Sequence, residues 1–166
     1  TNLNIYFNTL LNFVFKNSYK SIFLKKLKKF LNTNNLILCS QGRVAAYNIF
    51  KILIKKNKNQ IIISPYTLPE VISTILYAGG KPIYVDINYK TGLPNFKKLK
   101  KLINKFTAGL VITHLYSNDK DITNFKRKFS GKATIIEDTA INLGAEINNG
   151  KKLGTLFDYG FYSFGI

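Results

Sequence analysis

The sequence predicts an α/β fold: a mostly parallel sheet with helices on both faces. Three observations point to it. Short apolar runs alternate with helical patterns from residue 36 onward. Several of those runs, such as Gln60-Ile-Ile-Ile-Ser64, have no polar face, as strands covered on both sides require. The chain has 166 residues and is 46% hydrophobic, enough for one domain with a sizeable core.

In chain order, residues 18–31 read as an amphipathic helix. Ile22, Phe23, Leu27, Phe30 and Leu31 fall on one face, and Lys25, Lys26, Lys28 and Lys29 fall opposite. Asn32-Thr33-Asn34-Asn35 closes it as a loop. Leu36-Ile-Leu-Cys39 is expected to be a short buried strand, which would make the Cys39 thiol inert. A helix follows from Arg43 to Lys56, then a strand at 60–64. Residues 69–78 form a helix, with Pro69 suited to its first turn. Residues 82–86 are a strand, 95–103 a lysine-rich helix and 109–114 a strand. Residues 122–129 are a short helix and 133–137 an apolar strand. Around Asn149-Gly150 the pattern predicts a hairpin with a type I′ turn, and 158–164 one more strand.

Composition excludes several classes. Cys39 is the only cysteine, so no intrachain disulfide exists, and a cytoplasmic location is the expectation. No apolar run reaches the about 18 residues of a membrane helix, so no membrane is expected. The net charge of +17 invites a nucleic-acid reading. However, 23 of the 25 basic residues are Lys, beside nineteen Asn and many Ile and Phe. That mixture fits compositional bias on a solvated surface better than a phosphate reader built on the Arg fork, and no nucleic acid is expected. The sequence contains no Met, Thr1 included, and ends on Tyr162-Ser-Phe-Gly-Ile166, which reads as a chain cut at both ends.

In such sheets ligands bind beyond the carboxyl ends of the strands. The residues there are Ser40–Arg43, Pro65–Leu68, Asp86, His114–Ser117, Asp138-Thr139 and Ser163. The Gly42 turn at a helix start offers free amides and a positive dipole end to an anion, or is turn chemistry alone; its spacing is not a P-loop. Asp138 could hold a metal, a ribose hydroxyl or a protonated ring nitrogen, or could serve as an N-cap or loop ion pair. No second ligand stands at metal spacing, so a metal is disfavoured. His114, the only histidine, is a site residue or a hydrogen-bonded structural one. No Gly-x-Ser-x-Gly elbow supports a serine triad.

Seven short stretches, in order, carry a resemblance. They are Gln41-Gly-Arg-Val-Ala-Ala46, Pro65-Tyr-Thr67, Ile75-Leu-Tyr-Ala-Gly-Gly-Lys-Pro-Ile-Tyr-Val-Asp86, His114-Leu-Tyr-Ser-Asn118, Ile136-Glu-Asp-Thr-Ala140, Leu143-Gly-Ala145 and Tyr162-Ser-Phe164. The chain resembles the DegT/StrS-type aminotransferases, fold type I pyridoxal-phosphate enzymes acting mostly on nucleotide-linked keto-sugars. The resemblance implies that residues 1–166 are part of the large, cofactor-binding domain, with N-terminal helices at 1–35, an α/β core at 36–166, and no C-terminal small domain. It implies pyridoxal 5′-phosphate as cofactor, with Gly42, Arg43 and Ser163 at its phosphate and Asp138 at its ring nitrogen. Leu68 falls where the family places an aromatic ring flat on the cofactor, and Ile141 where many members carry a Gln toward the phenolic oxygen. Ser117 replaces a usual Gly.

The resemblance places the Schiff-base lysine just after Ile166, or a His in its dehydrating branch. No catalytic residue is therefore expected within the chain, and the chain alone is expected to be inactive. The implied partners are a nucleotide-sugar substrate and an amino acid donor such as glutamate, in a homodimer. Another fold type I enzyme, or a basic non-catalytic binding module, are the alternatives.

Overall fold

A computed structural model describes residues 19–115 and 119–164. Within them the chain divides into two compact units, one ending at Leu38 and one beginning at Cys39. The first holds helix α1 (Tyr19–Leu31). It buries Leu27 and Leu31, while Ile22, Phe23 and Phe30 stay about half exposed, so the apolar face is narrower than the pattern suggests. The helix stops because Asn32 turns left-handed (φ 51°). Thr33 N–H then reaches Lys28 O at 3.0 Å, and Asn32 N–H reaches Lys29 O at 3.3 Å, a Schellman cap.

Leu36–Cys39 is not a strand. Ile37 is 86% exposed and Cys39 is exposed, so the expectation of a buried thiol there is also corrected. An apolar run becomes a strand only where a neighbour completes its ladder, and none among the described strands does.

The second unit is a five-stranded sheet of β1 (Gln60–Ile63), β2 (Lys81–Tyr84), β3 (Thr107–Thr113), β4 (Ile135–Asp138) and β5 (Tyr159–Phe161). Its order is β2-β1-β3-β4-β5, with every pairing parallel. The remaining helices are α2 (Gly42–Leu53), α3 (Pro69–Tyr77), α4 (Phe96–Leu102) and α5 (Asp119–Phe129). Strand alternation splits the β1 isoleucines between two cores. Ile61 and Ile63 join Ala46 and Phe50 of α2 and Val71 and Ile75 of α3. Ile62 joins Leu99 of α4 and Phe125 and Phe129 of α5 on the other face. Both faces are thus covered, as the continuous isoleucine run predicts. The second core is sealed by aromatics: Phe96 meets Phe125 and Phe129 edge-on at 5.5 and 5.4 Å between centroids.

Helix starts follow local chemistry. Asn95 caps α4, its Oδ1 accepting from Lys97 N–H and Lys98 N–H, both at 3.1 Å, a contribution of about 1 kcal/mol. Pro69 opens α3 where its missing N–H costs nothing.

The predicted hairpin is a single antiparallel bridge, Glu146 to Lys152. Its turn is not type I′, which needs φ > 0 at two residues. Only Gly150 is left-handed (φ 76°). Ile147 O accepts from Gly150 N–H (2.8 Å), and Ile147 N–H donates to Lys151 O (2.9 Å). This is the three-residue loop that ends in a left-handed glycine.

Candidate active site

Because every pairing is parallel, all five strands end at one edge. The chain goes from β1 to β2 on one side and then returns to β3 on the other. Such reversals open a crevice at the carboxyl edge, where ligands bind in folds of this kind.

Asp138 ends β4, buried at 5% exposure, and its backbone is in register with Phe161 of β5. Its Oδ1 accepts from Ala140 N–H at 3.2 Å, a bond within its own turn. Burial pushes its pKa above the ordinary 3.8; the Ala140 N–H, and His114 when charged, act in the opposite direction.

Two residues past Phe161, Ser163 lies against Gly42, the first residue of α2. A methyl group on Gly42 would stand 3.0 Å from Ser163 Cβ and 3.2 Å from Tyr162 O. Glycine lets the helix start approach the strand end this closely without displacing either residue. Gln41 provides no side-chain cap to α2. The first intrahelical bond is from Val44 N–H to Gln41 O (3.1 Å), so the Gly42 and Arg43 amides precede the ladder. Gly42, Arg43, Ser163 and Asp138 therefore share the β4–β5 end of the rim.

Leu68 and Ile141 are placed differently. Leu68 is the N-cap of α3 after β1, two strands from β4, a separation of about 10 Å. Its side chain is 59% exposed, and that of Ile141, in the turn after β4, is 70% exposed. Neither is locked by packing. Asp86, two residues past β2, is exposed and paired with Lys98 of α4. Ser117 and Asn118 lie outside the described residues, as do residues 1–18, Tyr116, Gly165 and Ile166.

His114 is a buried structural partner. Its Nε2 stands 2.9 Å from Glu137 Oε2, and its backbone N–H donates to Asp138 O at 3.0 Å. Asn142 Nδ2 donates to its carbonyl. Its Nδ1 is buried without a protein partner among the described residues.

Sequence reasoning gives Glu137 no role beyond its place in the apolar strand 133–137. It is fully buried. Its Oε1 accepts from Leu156 N–H (2.7 Å) and Phe157 N–H (3.0 Å). Its Oε2 accepts from Gly154 N–H (2.8 Å), beside His114. The available signal was a carboxylate inside a buried strand, which must find donors. Tyr162 completes the cluster, donating to Leu153 O at 2.6 Å. Burial, and then the Glu137 charge, hold its phenol well above the usual range.

Fold and rim together define a parallel α/β protein in which an uncapped helix start and a buried carboxyl group lie toward the same end of the sheet edge. Residues 12–165 match the DegT/DnrJ/EryC1/StrS aminotransferase family, and the chain belongs to that family. It is 26% identical over 150 residues to a GDP-perosamine synthase of Vibrio cholerae, covering 90% of this chain and 41% of that protein. Among solved structures it resembles Helicobacter pylori PseC, an aminotransferase involved in the biosynthesis of pseudoaminic acid. The TM-score is 0.74 at 22% identity, covering 87% of this chain and 39% of that one. It also resembles an E. coli GDP-4-keto-6-deoxy-D-mannose-3-dehydratase with bound hydrated pyridoxal phosphate. Here the TM-score is 0.66 at 20% identity, covering 81% and 37%. The chain thus spans less than half the length of these relatives. The α/β expectation holds, and family membership disfavours a stand-alone basic binding module. Among the described residues no helix is long and apolar enough to cross a membrane.

Proposed function

We propose that this chain supplies the cofactor-holding rim of a pyridoxal-phosphate-dependent aminotransferase. Its acceptor is a nucleotide-linked keto-sugar, and its donor is an amino acid such as glutamate. The observation that carries this reading is the juxtaposition of a buried carboxyl group (Asp138) with the Gly42–Ser163 contact on the neighbouring strand end.

The residues present fit the cofactor. A dianionic phosphate suits the start of α2, where the Gly42 and Arg43 amides precede the helical ladder and Ser163 packs against Gly42. A protonated ring nitrogen suits Asp138, which accepts one backbone N–H and keeps acceptor capacity. When bound, pyridoxal phosphate supplies an electron sink for charge developing on the substrate carbon next to nitrogen. Asp138 holds the proton at the ring nitrogen, which keeps that sink effective. Leu68 offers only an aliphatic cover to the ring, and Ile141 gives no hydrogen bond to the phenolic oxygen. None of Gly42, Arg43, Leu68, Asp138, Ile141 and Ser163 is a lysine, so in this reading these residues hold and orient the cofactor, the amine that carries the proton between carbons is not among them, and they have no activity by themselves. The complete enzyme is a cytoplasmic homodimer in this reading.

The test uses the complete gene product loaded with pyridoxal phosphate and mixed with glutamate, reading cofactor absorbance in single turnover. Asp138→Ala should slow the half-reaction by at least about 100-fold, some 2.7 kcal/mol of barrier. A rate within tenfold of the parent overturns the role given to Asp138.

A further inference from the structure

We infer that Glu137 is a positioning residue. Its buried carboxylate fastens the Gly154–Phe157 turn to strand β4, and so fixes how deeply Asp138 sits at the rim. The inference rests on the reading of Asp138 as the cofactor's ring-nitrogen partner.

Glu137 and Asp138 are consecutive, so strand alternation sends their side chains to opposite faces. Glu137 lies beneath the turn, and Asp138 faces the other way. Four donors converge on Glu137: Gly154 N–H, Leu156 N–H, Phe157 N–H and His114 Nε2. A carboxylate that fills its acceptor sites in this way cannot shift without orphaning buried amides.

The same groups reach Asp138 by separate routes. His114 N–H is bonded to Asp138 O. The turn held by Glu137 is pressed onto the strand beyond Asp138. A methyl on Gly160 would meet Gly154 O at 2.1 Å, and one on Gly154 would meet Tyr162 Oη at 2.4 Å and Thr139 Oγ1 at 2.8 Å. Thr139 is anchored in turn, its N–H and Oγ1 both donating to Phe161 O at 3.0 and 2.8 Å. Asp138 is therefore clamped from His114 on one side and from the Gly154 turn on the other, and both clamps end on Glu137. By contrast, among the described residues its own carboxyl has only the Ala140 N–H. Its depth is set by its neighbours rather than by its own bonds.

The charged and titratable groups around Glu137 are His114, Tyr162, Asp138 and the Lys126 ammonium, which donates to Leu156 O at 2.5 Å. Of these, only His114 bonds to the Glu137 carboxylate directly.

The experiment compares Glu137→Gln, the milder Tyr162→Phe and Asp138→Ala in the complete gene product. In the cofactor-free protein, amide exchange is followed at Gly154, Leu156 and Phe157, and the Asp138 carboxyl is titrated by NMR. Pyridoxal phosphate affinity is then measured by absorbance. Glu137→Gln should speed exchange at all three amides, move the Asp138 titration down toward 3.8, and weaken pyridoxal phosphate at least tenfold. Tyr162→Phe should do the same to a smaller degree, and decides the matter if Glu137→Gln does not fold. Faster exchange with an unmoved Asp138 titration in either folded variant overturns the inference, because Glu137 would then anchor the turn alone. If Asp138→Ala binds pyridoxal phosphate as tightly as the parent, the cofactor reading fails instead, and the cofactor-free titration still judges Glu137.

Discussion

Gly42 and Ser163 stand in contact across the rim, so close that a methyl group on Gly42 would lie 3.0 Å from Ser163 Cβ. The relationship joins the first helix of the α/β unit to its last strand. It makes two distinct predictions. Gly42→Ala crowds Ser163 Cβ and Tyr162 O, which must give way, at about 1–3 kcal/mol of overpacking. Ser163→Ala relieves no crowding but removes a hydroxyl, which costs phosphate binding about 1 kcal/mol, or some fivefold in Kd. Melting temperature and pyridoxal phosphate affinity separate them. Gly42→Ala should lower both, and Ser163→Ala chiefly the affinity. Equal effects on melting would show that the contact is structural only.

Asp138 predicts a pH dependence of stability. Burial raises its folded-state pKa above 3.8, so the folded state favours the neutral carboxyl. That contribution is fully present below about pH 3.8 and is lost as pH rises through the raised folded value. Asp138→Asn, which stays neutral, should gain on the parent in urea midpoint as pH climbs from 3 to 7. A constant difference across that range would contradict the burial argument. Pyridoxal phosphate affinity should move the other way, strengthening with pH as the carboxyl ionises to meet a cationic ring nitrogen.

The β1 run tests the two-core arrangement. Ile61 and Ile62 are adjacent, fully buried, and belong to different cores. Ile62→Ala removes a side chain packed among Leu99, Phe125 and the β3 residues, at about 2–5 kcal/mol. Because their neighbours differ, Ile61→Ala and Ile62→Ala should add nearly independently in denaturant titrations. A coupling well above about 0.5 kcal/mol would mean that the sheet does not separate the cores.

These cases show which parts of the fold the sequence made legible. Ile61–Ile63 announced a doubly covered strand because burial on both faces leaves no polar position. The lysine-rich helix read over 95–103 is found at Phe96–Leu102, with Asn95 just outside it as the cap that accepts from Lys97 and Lys98 N–H. Leu36–Cys39 failed as a strand because apolar content does not supply a ladder partner. Asn149-Gly150 suits two turns that differ in the sign of one φ, and the dipeptide does not choose between them. At the site, Asp138 and Gly42 were visible as residues at strand and helix ends. That Asp138 and the Gly42–Ser163 contact lie on adjacent strand ends depends on β4 and β5 being neighbours, which pairing decides and local pattern does not. Glu137 stayed hidden because three of its four partners are backbone amides, which every residue but proline has.

Two left-handed glycines in the last third make the sharpest comparison. Gly150 (φ 76°) has nothing within 4 Å of a Cβ position, whereas a Cβ on Gly154 (φ 85°) would meet Tyr162 Oη at 2.4 Å and Thr139 Oγ1 at 2.8 Å. Gly150→Ala therefore meets backbone strain alone, about 1–2 kcal/mol. Gly154→Ala adds overpacking of about 1–3 kcal/mol and displaces the N–H bonded to Glu137. Substitution with Asn, which tolerates the left-handed region, should recover most of the loss at 150 and none at 154. Thermal melts of the four variants provide the measurement. Recovery at 154 would mean that the turn can lift off Tyr162, and the clamp on Asp138 would lose its rigid end.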